Sequence, residues 1–179
     1  MGSSARAFAF LVETVFQLYL VALMLRVLLE AVRANYYNPV CQVLIKATDP
    51  LIKPLKKIIP PAGSINLAGI AWLLVIELVL LVLLAALGAW ALKPGLLLIL
   101  ALKRLLRMLL VLYMVLIIAG VVLSWIGHSF RHPIVPLIFQ LSEPVLAPVR
   151  RLLPPLGGLD FSPLIALVAI QFFIILLGL

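Results

Sequence analysis

Apolar runs of about 20 residues alternate along this chain with shorter stretches where proline, glycine and charge concentrate. The first run spans about 7–32; residues 65–92 hold Glu77 as their one charge; the third spans about 96–127 and carries none after Arg107; the last spans 161–179. Each meets the roughly 20-residue requirement for crossing a bilayer as a helix. Between the members of each pair lie 38–60 and 132–154, which are too short and too polar to cross. In the first of these, Val40, Val43, Leu44 and Ala47 recur at helical spacing while Gln42 and Lys46 point elsewhere. That is the pattern of an amphipathic helix lying in the membrane interface.

The two halves are copies. Residues 39–69 align without a gap on residues 133–163 at a constant offset of 94. Pro39, Pro50, Pro54, Pro60, Pro61 and Gly63 fall on Pro133, Pro144, Pro148, Pro154, Pro155 and Gly157, and Asp49, Lys56, Lys57 and Asn66 fall on Glu143, Arg150, Arg151 and Asp160. The chain therefore divides into repeats 1–92 and 93–179, each a span, an interfacial segment and a returning span. Asn38 before Pro39 predicts a helix start, with His132 in the equivalent place. Asp49 and Glu143, each directly before a proline, are expected to cap a second short helix, which Pro54 or Pro148 kinks and the double proline ends. Glycine turns at Gly63 and at Gly157-Gly158 lead to Asn66 and Asp160 as caps of the returning spans, with Ser162 a competing cap in the second copy. The expected fold is an all-α membrane protein: four transmembrane helices as two parallel-repeat hairpins, each with proline-broken interfacial amphipathic helices between its spans.

Composition and charge narrow the function. With 66% hydrophobic residues the chain is far too apolar for a soluble domain. The first span carries Glu13 and Arg26 and lacks a small-residue cleavage site, so it reads as a retained helix and not a removed signal peptide. The net charge of +8 does not imply direct nucleic-acid binding, because the basic residues sit beside spans and between prolines. Anionic lipid headgroups fit that placement, as does an acidic segment of a membrane or cytosolic partner protein. Lys53, Lys56, Lys57, Arg150 and Arg151 are the candidate lipid- or partner-binding residues. The hairpin side carries eight Lys/Arg against five on the other, which places the hairpins in the cytoplasm and both termini outside. A homo-oligomer is left open.

Ionisable groups inside spans are functional candidates by default. Glu77 lies about 15 Å into its span at 1.5 Å per residue, with Gln171 as its repeat mate. Two roles are open to it: with Gln171 and Arg26 it lines an ion path for potassium or protons in an oligomer, or it is interhelical glue paired with Arg26 or Gln171. Glu13 and Arg107 are repeat equivalents of opposite charge, so a salt bridge between the first and third spans is expected. Arg26, Glu30 and Arg33 share a helix face and can pair.

Enzymatic parts are not assembled. Cys41 is the one cysteine and reads as a small apolar residue. His128 and His132 have no carboxylate or cysteine beside them to complete a metal set, Ser124 has no neighbouring base, and no glycine loop for phosphate is present. No cofactor and no metal are expected.

The doubled block, above all SEPVLAPVRRLLPPLGGLDFSP at residues 142–163, together with Asn38-Pro39 and the later PLKKIIPP, resembles the YggT (YlmG) family of small bacterial and plastid membrane proteins. The resemblance implies a multi-pass inner-membrane protein without an enzymatic reaction. It also implies roles in osmotic-stress tolerance, potassium homeostasis, cell division and nucleoid distribution in bacteria, and in c-type cytochrome assembly and thylakoid nucleoids in plastids. The first copy departs from the family pattern at its turn, where Ala62-Gly63-Ser64 and Asn66-Leu67-Ala68-Gly69 replace the usual Gly-Gly and Asp-x-Ser-Pro.

Overall fold

A computed structural model describes residues 2–88, 94–126, 132–152 and 160–179. The expectations for His128, Pro154, Pro155, Gly157 and Gly158 lie outside the described residues. Among the described residues six α-helices follow in order: α1 Ser3–Ala31, α2 Pro39–Lys56, α3 Leu67–Ala86, α4 Leu97–Ile126 after a 3-10 turn at Pro94–Leu96, α5 Ile134–Leu152 and α6 Ser162–Leu176. Three of them, α1, α3 and α4 with its preceding turn, are long and apolar enough to cross a membrane. The last apolar helix, α6, has 15 residues, about 22 Å at 1.5 Å per residue, and so falls short of the length expected for a fourth span over 161–179.

Within each repeat the two apolar helices pack on each other and on the amphipathic helix between them: α1, α2 and α3 in the first copy, α4, α5 and α6 in the second. The copies meet chiefly through α3 and α4, and also through α1 with α4 and α5. Three apolar cores follow. Leu20, Leu23, Val27, Leu73, Leu80 and Leu84 centre the first repeat; Ile117, Leu146, Ala166 and Ile170 centre the second; Leu29, Cys41, Ile45, Leu116, Leu137 and Leu141 join them.

The proline expectation is corrected. Each amphipathic helix is one continuous element, with Pro50 and Pro54 inside α2 and Pro144 and Pro148 inside α5. Asp49 and Glu143 are consequently mid-helix residues and cap nothing. The reason lies in the register. Pro50 and Pro54 share the exposed face of α2 with Lys46, Lys53 and Lys57, while Cys41, Ile45, Thr48 and Ile52 are buried. Each missing proline N–H frees a carbonyl one turn earlier, on the face where water or headgroups can satisfy it, and the buried face keeps its bonds. On that buried face Thr48 Oγ1 donates to the Leu44 carbonyl at 2.7 Å and its repeat mate Ser142 Oγ to the Ile138 carbonyl at 2.8 Å, a back-bond that bends helices.

The caps at the repeat boundaries are built as pairs. Asn38 Oδ1 accepts from Val40 N–H at 2.9 Å, and His132 Nδ1 accepts from Ile134 N–H at 3.2 Å. Asn38 Nδ2 also donates to the Pro133 carbonyl at 2.6 Å, which ties the start of α2 to the start of α5. Asn66 Oδ1 accepts from Gly69 N–H at 2.9 Å to open α3. Gly63 turns at φ 61° inside a two-residue reversal closed by Ala62 and Ile65.

Helix α1 ends on a left-handed residue that is not glycine. Arg33 has φ 53°, with Arg33 N–H donating to Glu30 O and Ala34 N–H to Leu29 O at 2.9 Å, the capping geometry that glycine usually serves. Replacing Arg33 by glycine should stabilise the fold by roughly 0.5–1 kcal/mol after glycine's own entropy cost is deducted. Chemical unfolding in mixed micelles measures it, and a loss of stability would show that the Arg33 side chain holds something more than the turn.

Candidate functional site

Charged side chains gather in three places, each on helices that the repeat brings together. At the junction of α1 and α2, Arg26 Nη2 contacts Glu30 at 2.6 Å and Asp49 at 3.8 Å. Lys56 meets Glu30 at 3.2 Å and Lys53 meets Asp49 at 2.8 Å. The i, i+4 pairing of Arg26 with Glu30 follows from the sequence; the recruitment of Asp49 and Lys56 follows from α2 running on through its prolines. The hydrogen bond to Asp49 raises the Lys53 pKa, but this lysine is largely exposed, so the pair contributes little. Arg26 is buried, with Nε unpartnered, beside a cavity of about 70 Å³ that Glu30, Tyr36, Cys41 and Ile45 also line. Burial raises the Cys41 pKa, which keeps it an unreactive thiol.

In the second copy Arg150, the mate of Lys56, contacts Glu143 at 2.9 Å and Asp160 at 3.0 Å. Asp160 Oδ1 accepts from Ser162 N–H at 2.9 Å, and hydrogen bonding from Ser162, its side chain first and its backbone N–H after it, holds the Asp160 carboxyl below the ordinary aspartate value ahead of Arg150. The basic dipeptides are thus split. Lys56 and Arg150 turn to carboxylates of their own chain, while Lys57 and Arg151 stand exposed.

The third cluster lies inside the bundle. Arg104 on α4 reaches Glu13 on α1 at 2.8 Å through Nη2, and its Nε lies 2.5 Å from Glu77 Oε1 on α3. The second contact is one of charge without an aligned N–H···O bond, so neither Glu77 oxygen has a hydrogen-bond donor. Glu77 is 0% exposed. Two sequence expectations are corrected here. Glu13 pairs with Arg104 and not Arg107, which is exposed; Glu77 pairs with Arg104 and not with Arg26 or Gln171. Gln171 sits on the exposed face of α6, and Arg26 belongs to the α1–α2 network. Along α1 the buried Leu20 and Leu23 lie between Arg26 and Glu13, the residue that shares Arg104 with Glu77.

In the sequence Arg104 stands in a basic cluster with Lys103 and Arg107 near the start of the third span. The repeat offset pointed to Arg107, the mate of Glu13, yet Arg104 is one turn away on the same helix and faces a second carboxylate from α3. A guanidinium with several donors in a planar fork can serve both. The charged residues within otherwise apolar spans, Glu13 and Glu77 against Lys103, Arg104 and Arg107, were the available signal. Among the described residues no group of three or more His, Cys, Asp or Glu could hold a metal ion.

The CCB3/YggT family model matches this chain twice, over residues 5–87 and 99–179, with the same offset of 94 as the internal repeat. An uncharacterized Vibrio alginolyticus protein, from the region 3′ of proC, is 39% identical over 173 residues, covering 95% of this chain and 92% of that protein. An uncharacterized Pseudomonas aeruginosa protein is 37% identical over 90% of this chain and 83% of its own length. The uncharacterized protein YggT of Escherichia coli K12 is 35% identical over 87% of this chain and 81% of its own length. No solved structure matches. With both repeats matched and relatives similar along nearly their whole lengths, the chain belongs to the CCB3/YggT family.

Proposed function

We propose that the protein is a non-enzymatic scaffold or assembly factor of the bacterial inner membrane, which presents two basic amphipathic helices to anionic lipid and to a partner protein. In this reading α1, α3, α4 and α6 cross the bilayer as two parallel hairpins, α6 with help from local thinning. The helices α2 and α5 lie in the cytoplasmic headgroup layer, and the termini are periplasmic. Osmotic-stress, division or complex-assembly roles of the kind implied by the family resemblance fit a platform that acts on other machinery.

The supporting observation is the exposed face of α2. Lys46, Lys53 and Lys57 flank Pro50 and Pro54 there, so cations and freed carbonyls share one surface. On α5 the prolines recur as Pro144 and Pro148 with Arg151 in the place of Lys57, while Gln140 and Ala147 stand in the places of Lys46 and Lys53, and the bond from Asn38 to Pro133 fixes the two helix starts together.

A basic residue near an anionic surface contributes about 1 kcal/mol. Reversing Lys53, Lys57 and Arg151 to glutamate should therefore lower the preference of the reconstituted protein for anionic over zwitterionic lipid by about tenfold or more. Spin-labelled lipid association reads this directly. Unchanged lipid selectivity in a correctly inserted variant would sink the platform reading.

A further inference from the structure

We propose that Glu13, Glu77 and Arg104 form a binding site for one exchangeable proton inside the bundle. The reasoning starts from a count of charges. Two carboxylates converge on a single guanidinium, at 2.8 Å and 2.5 Å, which leaves one negative charge uncompensated in an apolar interior. Arginine keeps its protons under all relevant conditions, so the imbalance resides on the acids. An unpaired charge away from water is strongly disfavoured, and a pair of carboxylates sharing one guanidinium relieves it when one of them takes up a proton.

The second observation is independent of that count. Glu77 is fully buried, and both its oxygens lack a hydrogen-bond donor. A buried carboxylate is ordinarily surrounded by donors; this one has the Arg104 ion contact and no aligned donor on either oxygen. Binding forms one O–H bond on a carboxylate oxygen, converts the net charge from −1 to zero, and releases water from the hydronium that delivers it. The proton belongs to the dyad and not to either acid alone.

Access runs along α1. Glu13 has 35% of its side chain exposed and lines an open cavity of about 370 Å³ with Phe10, Thr14, Gln17, Leu18 and Val21. Thr14 and Gln17 supply polar groups beside an acid that connects, through Arg104, to the sealed Glu77. No other charged group enters from the packed elements. α1 contributes Glu13, α3 contributes Glu77, and α4 contributes Arg104, with Arg107 exposed one turn away and Lys103 directed toward the backbone of Gly178. The site occurs once. The repeat mates of Glu13, Glu77 and Arg104 are Arg107, Gln171 and Phe10, so the second copy cannot build it.

Infrared difference spectroscopy on the full chain in proteoliposomes tests the proposal. In buffers stepped from mildly acidic to mildly alkaline, the wild type should show the C=O stretch of one protonated carboxyl that shifts in D2O. Glu77→Gln and Glu13→Gln should each abolish that band, because one carboxylate and one guanidinium then balance. Gln keeps the shape of the protonated acid, and the partly exposed Glu13 provides a variant that tests the site even where a change at Glu77 impairs folding. Three results overturn the proposal: no protonated-carboxyl band in the wild type, a band that survives either Gln substitution, or carboxylate bands that respond to alkali-metal exchange instead of to pH.

Discussion

Replacing Arg104 by leucine should destabilise the protein by about 3–5 kcal/mol, the range for removing one partner of a buried ion pair. The substitution conserves apolar volume poorly but adequately, so the main effect is electrostatic: Glu13 and Glu77 are left facing each other among Leu80, Leu84 and the rest of the first core with no cation. α1, α3 and α4 are the elements it joins, and α3 with α4 is the principal seam between the repeats, so the loss should register as separation of the two halves before either half unfolds. Chemical unfolding in mixed micelles gives the magnitude, and protease sensitivity of the segment between the repeats gives the order of events. A triple replacement, Glu13→Leu, Glu77→Leu and Arg104→Leu, should recover most of the stability, because an apolar substitute for a whole buried ion cluster is often neutral or better. If Arg104→Leu costs less than about 1 kcal/mol, the cluster is solvated as a surface pair would be, and its burial has no energetic weight.

What could be seen in the sequence, and what could not, divides along the range of the interactions. The spans, the amphipathic segments and the caps at Asn38 and Asn66 are local: a hydrophobic run or a residue three positions from its partner is enough to specify them. Proline failed as a local signal because its effect depends on which face it occupies. On the exposed face of α2, Pro50 and Pro54 leave carbonyls where polar groups can reach them, and the helix continues. The pairing of Asp49 with Lys53 is the i, i+4 contact of that continuous helix, whereas its contact with Arg26 crosses between α1 and α2 and no spacing rule would have given it.

The internal repeat was a good guide to the backbone and a poor one to charge. It placed His132 as the counterpart of Asn38, and both side chains cap their helices in the same way. Applied to Glu13 it selected Arg107, one turn from the true partner. Backbone geometry is shared by the copies, but the ion clusters are not: Arg26 corresponds to Gly120 and Arg104 to Phe10. Arg26 and Glu77 of the first repeat stand where the second has Gly120 and Gln171, and Arg104 of the second stands where the first has Phe10, so the two halves share a frame and differ in chemistry.

Substituting alanine for Gly69 should destabilise the fold by about 2 kcal/mol, within the 1–3 kcal/mol typical of overpacking a filled core. A Cβ at this position would stand 2.5 Å from Val27 Cγ2 and 3.2 Å from Asn66 Cγ. Two functions of the glycine are therefore affected together: the close approach of α1 to α3, and the cap in which Asn66 Oδ1 accepts from Gly69 N–H. Alanine's better helix propensity returns roughly 1 kcal/mol, so the observed loss is a net value and the steric term is larger. Val27→Ala removes the nearer obstacle, and the pair of substitutions should then cost distinctly less than the sum of the single changes. Unfolding of the two single variants and the double variant closes a thermodynamic cycle. Additive costs would mean that α1 and α3 move apart without resistance, contrary to the buried packing of Val27, Ala68 and Leu73. A coupling of about 1 kcal/mol or more would place the contact of Val27 with Gly69 among the determinants of where α3 sits, and hence of the depth at which Glu77 meets Arg104.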